Sequence, residues 1–189
     1  MKQYLGFSLI EVLVTLLLTT IGILGMVAMQ GRSIQYTQDS VQRNAAIMLA
    51  DELVGIMRAN AGELYTKIPP IEPFYSGLKS DSLFYKKAGS AFATAVADCV
   101  RSSESIPKTA QEMRDCWVAD AIATLPGEAN LFNSDSYICR SSLPGECDDK
   151  GTMVEIQLAW SVQDNACLDD HDDRELDATT CVYRLRVEL

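Results

Sequence analysis

The chain is short of positive charge. Lys and Arg number 16 against 26 Asp and Glu, giving a formal net charge of −10 over 189 residues. A chain this acidic gains nothing from neutralising phosphates, which excludes a nucleic-acid binder. Histidine is nearly absent. His171 stands alone, within Asp169-Asp-His-Asp-Asp173. No motif sets a nucleophile or base beside it, so a catalytic triad or dyad is unsupported and the chain reads as a non-enzyme. Proline is missing from Phe7 to Asn60, which removes the strongest helix breaker from that stretch. There is no C-x2-C or C-x4-C pair, so the spacing that zinc sites favour is lacking. Disorder is excluded as well, because 48% of residues are hydrophobic and 22% charged.

What is present is unevenly distributed. Residues 1–60 carry four basic and four acidic side chains, while residues 61–189 carry twelve basic and twenty-two acidic. An apolar stalk joined to an acidic soluble head is the organisation this implies. All six cysteines, Cys99, Cys116, Cys139, Cys147, Cys167 and Cys181, lie in the head. An even count behind an exported-looking N-terminus points to disulfides rather than a metal. Six cysteines allow fifteen connectivities. Compact local pairing would give Cys99–Cys116, Cys139–Cys147 and Cys167–Cys181. Each closed loop of this kind restricts the unfolded chain by roughly 2–4 kcal/mol.

The N-terminus carries a single long apolar stretch. An uncharged run of twenty residues extends from Val12 to Gly31, and the mostly apolar segment Phe7–Met29 is twenty-three residues long. A membrane-crossing helix needs about 20. Lys2 ahead of the run favours a cytoplasmic N-terminus. Glu11 is the anomaly, since a carboxylate within such a helix is costly. It is tolerable at the headgroup level, near the positive end of the helix, or beside a cation. A cut after Gly6 would create that cation as the new α-amino group of Phe7, in the same chain or in a neighbouring one.

Gly6-Phe7-Ser8-Leu9-Ile10-Glu11, followed by an apolar helix, resembles the class III signal of type IV pilins and type II secretion pseudopilins. The resemblance implies cleavage between Gly6 and Phe7 by a membrane-embedded prepilin peptidase, N-methylation of Phe7, and a role for Glu11 in recruiting and registering subunits. Gly25-Met-Val-Ala-Met-Gln-Gly31, Arg32 and Ile34–Ala45 are similar to the PilV group of minor pilins. So are Phe84-Tyr85-Lys86, Asp115-Cys116-Trp117, Tyr137-Ile-Cys-Arg140 and Glu155-Ile-Gln-Leu-Ala-Trp160. The similarity is patchy over residues 61–110. Major pilins often carry a kinking proline in the membrane helix; here Gly22, Gly25 and Gly31 supply softness instead.

The fold the resemblance implies is α+β, a long N-terminal helix packed on an antiparallel sheet with disulfides. The expected division is a leader over 1–6, a transmembrane half-helix over 7–29, an amphipathic half-helix over 30–60 and a periplasmic head over 61–189. A continuous helix from Phe7 to Asn60 would be about 80 Å long. Ile34, Val41, Ala45, Met48, Leu49, Leu53, Ile56 and Met57 recur mostly at helical spacing and predict a core-facing stripe, with Asn60 and Gly62 as stop residues. Ser82–Lys86 reads as a short strand and Ala88–Val100 as a helical turn or two. Thr109-x-x-Glu112 matches a capping box, opening a helix that Pro126-Gly127 closes. Tyr137–Arg140 reads as a short strand. Val154, Ile156, Leu158, Trp160 and Val162 alternate with polar or small residues, as a half-buried strand does, and so do Cys181, Tyr183, Leu185, Val187 and Leu189.

Other chemistry is set aside on the sequence. Seven acids lie between Asp164 and Asp177, a composition calcium favours, but the EF-hand pattern is absent and a solvated loop is the simpler reading. Core packing is the default for Trp117 and Trp160. No cofactor is implied. The resemblance implies as partners the prepilin peptidase, other minor pilins, the major pilin, a tip adhesin and the inner membrane. It implies a single-pass inner-membrane location with a periplasmic head, then the pilus. The function expected is priming or capping of type IV pilus assembly, supporting adhesion and twitching motility. The alternatives are a type II secretion pseudopilin and a membrane-tethered periplasmic protein of another class. Gly6→Leu is expected to leave the leader attached, which gel mobility beside the wild-type chain would check.

Overall fold

No proline lies among the first sixty residues, and from Leu9 to Ala59 the helix has no break. The computed structural model describes residues 8–70, 77–99, 106–162, 167 and 179–189. Helix α1 spans Leu9–Ala59, running unbroken through Gly22, Gly25 and Gly31. The chain forms two units that meet in sequence between Gln38 and Asp39, inside α1. After α1 come a 3-10 turn over Ala61–Glu63, helices α2 (Ala110–Thr124) and α3 (Glu128–Asp135), and strands β1 (Tyr137–Ser141), β2 (Met153–Ser161) and β3 (Thr180–Val187). The strands form one antiparallel sheet in the order β1-β2-β3. Tyr137 faces Gln157 across β1 and β2, and Trp160 faces Cys181 across β2 and β3. This is the α+β arrangement of the type IV pilin fold.

The core of the second unit lies between α1, α2 and the sheet. Ala46, Ala50, Leu53 and Met57 of α1 are fully buried together with Trp117, Ile156 and Trp160. Two indoles bond directly to α1. Trp117 Nε1–H donates to the Leu49 carbonyl at 2.8 Å, and Trp160 Nε1–H donates to Asp39 Oδ1 at 3.2 Å. Burying a Trp costs its N–H a water partner, and these two bonds replace it.

This contact corrects the expected helix stripe. The buried line is Asp39, Ala46, Leu49, Ala50, Leu53, Val54 and Met57. Ile34, Val41 and Met48 are 59%, 62% and 72% exposed. They recur every seven residues, so they share one helix face, roughly opposite the buried one. The small Ala46 and Ala50 let the sheet's large side chains come close. Apolar spacing alone favoured the bulkier residues.

Other local readings also change. Ser82–Lys86 is not a strand. Phe84 N–H bonds to Ser82 Oγ, folding a turn, and only Lys86 forms a β-bridge, with Ile138. Residues 88–99 contain no helix, because their backbone groups bond to side chains and segments elsewhere. The helix stop is Asn60, whose Nδ2 donates to the Ile56 carbonyl at 2.8 Å; Gly62 lies in the 3-10 turn. The Thr109 and Glu112 capping box is formed, and α2 starts where it sets the start. Helix α3 was not anticipated. Its N-cap is Gly127 at φ 122°, a conformation that glycine adopts freely. Strand β2 is buried on both faces, not one. On its second face the loop between β1 and β2 reaches Glu155 through the Gly145 N–H, while Gln157 donates to the Asp135 carbonyl at the end of α3.

That loop depends on a close backbone approach. A Cβ at Gly151 would fall 1.7 Å from the Ser141 carbonyl oxygen. Gly151→Ala is therefore expected to destabilise the chain by about 1–3 kcal/mol, the range for overpacking. Thermal unfolding would measure it, and an unchanged Tm would contradict the packing described.

Candidate processing and assembly site

Glu11 occupies the first turn of α1. The Ser8 carbonyl accepts the N–H groups of Glu11 at 3.0 Å and Val12 at 3.3 Å, which starts the helix. The carboxylate thus sits where unpaired backbone N–H groups favour negative charge. Ser8-x-x-Glu11 also has capping-box spacing, a local signal that the sequence reading passed over. From Leu9 to Met29 every large apolar side chain is exposed, Leu9 by 84% and Leu24 by 70%. Among the described residues α1 is the one helix long and apolar enough to cross a membrane. Its hydroxyls suit an apolar medium. Thr15, Thr19 and Thr20 donate to the carbonyls of Val12, Leu16 and Leu17 at 2.8–2.9 Å, so none needs water.

Gly6 and Phe7 lie outside the described residues, as do His171 and the acidic stretch 164–177 apart from Cys167. Glu11 is therefore the one residue of the processing and assembly set that the structure places. The six cysteines pair as Cys99–Cys116, Cys139–Cys147 and Cys167–Cys181, with Cα separations of 4.6, 5.6 and 5.5 Å. Among the described residues no group of three or more His, Cys, Asp or Glu side chains could hold a metal ion.

The second unit holds buried polar groups that the sequence reading missed. Glu155 is fully buried in the middle of β2. Its carboxylate accepts the Tyr137 hydroxyl at 2.7 Å, the Ser141 hydroxyl at 2.9 Å and the Gly145 N–H at 2.8 Å, and Arg186 Nε lies 3.3 Å away. Burial first, and then the bond to this carboxylate, push the Tyr137 hydroxyl up to about 12. Glu155 ties the loop closed by Cys139–Cys147 onto the sheet. Strand alternation had placed it facing solvent, and only the two bracketing cysteines hinted that a loop returns there. Lys86 is likewise buried. Its Nζ donates to the carbonyls of Ser136 at 2.7 Å, Asn133 at 2.9 Å and Phe132 at 3.2 Å. These are the unsatisfied carbonyls at the end of α3.

The family described as the prokaryotic N-terminal methylation motif matches residues 1–27. Neither a curated protein nor a solved structure matches the chain. The motif supports a type IV pilin-like protein, and the α+β fold matches the type IV pilin fold. The apolar N-terminal helix behind such a signal suggests membrane anchoring, its length and composition being sufficient for one crossing.

Lys86 yields a pH prediction. Burial lowers it from 10.5 to about 8, with Asp135 pulling the other way. Between those values the unfolded chain holds more protons than the folded one, so stability from this group rises with pH. The Tm difference between wild type and Lys86→Met is expected to grow from pH 7.5 to pH 10. Calorimetry at both values would test it, and a flat difference would refute it.

Proposed function

We propose that this chain is a minor pilin of the PilV type, which primes or caps a type IV pilus within a heteromeric complex of minor pilins. The observation that carries the reading is the methylation motif of residues 1–27 leading into one uninterrupted helix, α1, with Glu11 in its first turn. In this reading the chain inserts with its leader in the cytoplasm and its head in the periplasm. The prepilin peptidase cuts between Gly6 and Phe7 and methylates the new amine. Inside lipid there is no water to exclude, so subunits associate through packing and polar contacts between helices. Glu11 supplies such a contact, meeting the terminal ammonium of a neighbour. A carboxylate at that depth is stable once paired and costly once orphaned. Other minor pilins, the major pilin and a tip adhesin are the partners of the assembled complex, which supports attachment and twitching motility.

Mass spectrometry of the mature N-terminus tests the processing step, the expected result being a chain that begins with methylated Phe7. Deletion then tests the destination. Loss of surface pili supports the minor-pilin reading, whereas intact pili with blocked exoprotein release would assign the chain to type II secretion. Glu11→Ala is expected to insert in the membrane yet be depleted from sheared filaments, tenfold for each ~1.4 kcal/mol by which the carboxylate favours assembly. Immunoblotting of sheared fractions reads this, and wild-type recovery would count against the role of Glu11.

A further inference from the structure

Residues 83–99 have no helix or strand of their own, yet Phe84 and Phe92 are buried and the backbone is bound to α2. Arg114 of α2 is fully buried. It donates through Nη1 to the Leu83 carbonyl at 2.9 Å and through Nη2 to the Ala95 carbonyl at 3.3 Å. Its guanidinium carbon lies 4.8 Å from the centre of the Phe92 ring. Its Nε donates to Asp115 Oδ1 at 2.8 Å, and the other oxygen of Asp115 accepts the Ala97 N–H at 3.0 Å. Two adjacent charged side chains therefore hold Leu83, Ala95 and Ala97. The next residue along α2 is Cys116, bonded to Cys99.

The order of these contacts has a chemical consequence. Cys99 and Cys116 are 17 residues apart in sequence, and closing such a loop costs chain entropy. Once Ala97 is bound to Asp115, Cys99 is two residues from an anchored point and Cys116 is one. Buried charge-assisted bonds demand a specific geometry, so the docked segment presents one cysteine to one partner at high effective concentration.

We propose that the Arg114–Asp115 pair is a non-covalent template that selects the Cys99–Cys116 disulfide. It docks residues 83–97 on α2 while the chain is still reduced, ahead of pairing with any of the other four cysteines. The oxidant is a disulfide, a thiol–disulfide oxidoreductase in the cell or glutathione disulfide in the test tube. One protein thiolate attacks it, breaking the oxidant's S–S bond and forming a mixed disulfide. The second protein thiolate then displaces the oxidant's remaining sulfur. The protein loses two electrons and two protons, and the oxidant leaves as two thiols. This requires an oxidising compartment and is independent of whether the chain serves a pilus or a secretion system.

The test is oxidative refolding of the full chain in detergent with glutathione disulfide, stopped by alkylation and read by peptide mass spectrometry. Wild type is expected to link Cys99 to Cys116 alone. The double variant Arg114→Met, Asp115→Leu removes both charges and leaves no orphaned ion. It is expected to form that link about tenfold more slowly and to scatter Cys99 among other partners. Wild-type rate and pairing in the variant would overturn the proposal. A second variant, Cys99→Ser with Cys116→Ser, asks whether docking precedes the bond. Hydrogen exchange at the Ala97 amide is expected to remain protected. Loss of that protection would show that the disulfide holds the segment, and would equally overturn the template.

Discussion

The second unit depends on α1 being seated against the sheet by two tryptophans. Trp117 and Trp160 are both fully buried, and each would leave an unpaired indole N–H in the core without α1. One bonds to a main-chain carbonyl of the helix, the other to Asp39. Because an unpaired buried donor costs about 1–3 kcal/mol, these bonds specify the rotation of the helix as well as its presence. The face that carries Ala46 and Ala50 goes inward. The face that carries Val41 and Met48 is left outside, with Glu52 beside them, while Leu49, Leu53 and Met57 go inward with the two alanines. Rotation thus follows from apolar burial, close fit at the alanines and the two indole hydrogen bonds acting together.

A three-stranded sheet is too small to bury itself, and the remaining cover comes from segments with little regular structure. Residues 83–99 and the loop between β1 and β2 both lack ladders to satisfy their backbones. Charged side chains satisfy them instead. Arg114 and Asp115 serve the first, Lys86 serves the end of α3, and Glu155 serves the second. Each is buried and multiply bonded, as a charge taken out of water must be. The disulfides Cys99–Cys116 and Cys139–Cys147 lie beside two of these nodes. Covalent and electrostatic ties therefore reinforce the same segments.

The N-terminal part of α1 follows a different rule. There the large apolar side chains are exposed, and the threonine hydroxyls bond within their own helix. A segment built this way is matched to lipid or to other helices rather than to water. Glu11 is the one acidic or basic residue from Leu9 to Gly31, placed in the first turn of the helix. The same chain thus contains a part whose polar groups are self-contained and a part whose polar groups cross-link distant segments.

The elements set by local chemistry were legible in the sequence. They are α1, from the lack of proline and the apolar run; the start of α2, from Thr109 and Glu112; and the strands, from alternation around Ile156, Trp160 and Leu185. Local pairing of the cysteines also coincides with the bonds observed, since short loops are the least costly to close. Tertiary structure alone decided the rest. Periodicity does not show which helix face meets a tryptophan, so Ile34, Val41 and Met48 were misassigned. Alternation does not show that a loop will return over β2, so Glu155 was placed in solvent. Nor does any local pattern mark Arg114, Asp115 and Lys86 as buried, because a side chain's burial depends on what folds over it, and those segments lie 18 to 50 residues away in the chain.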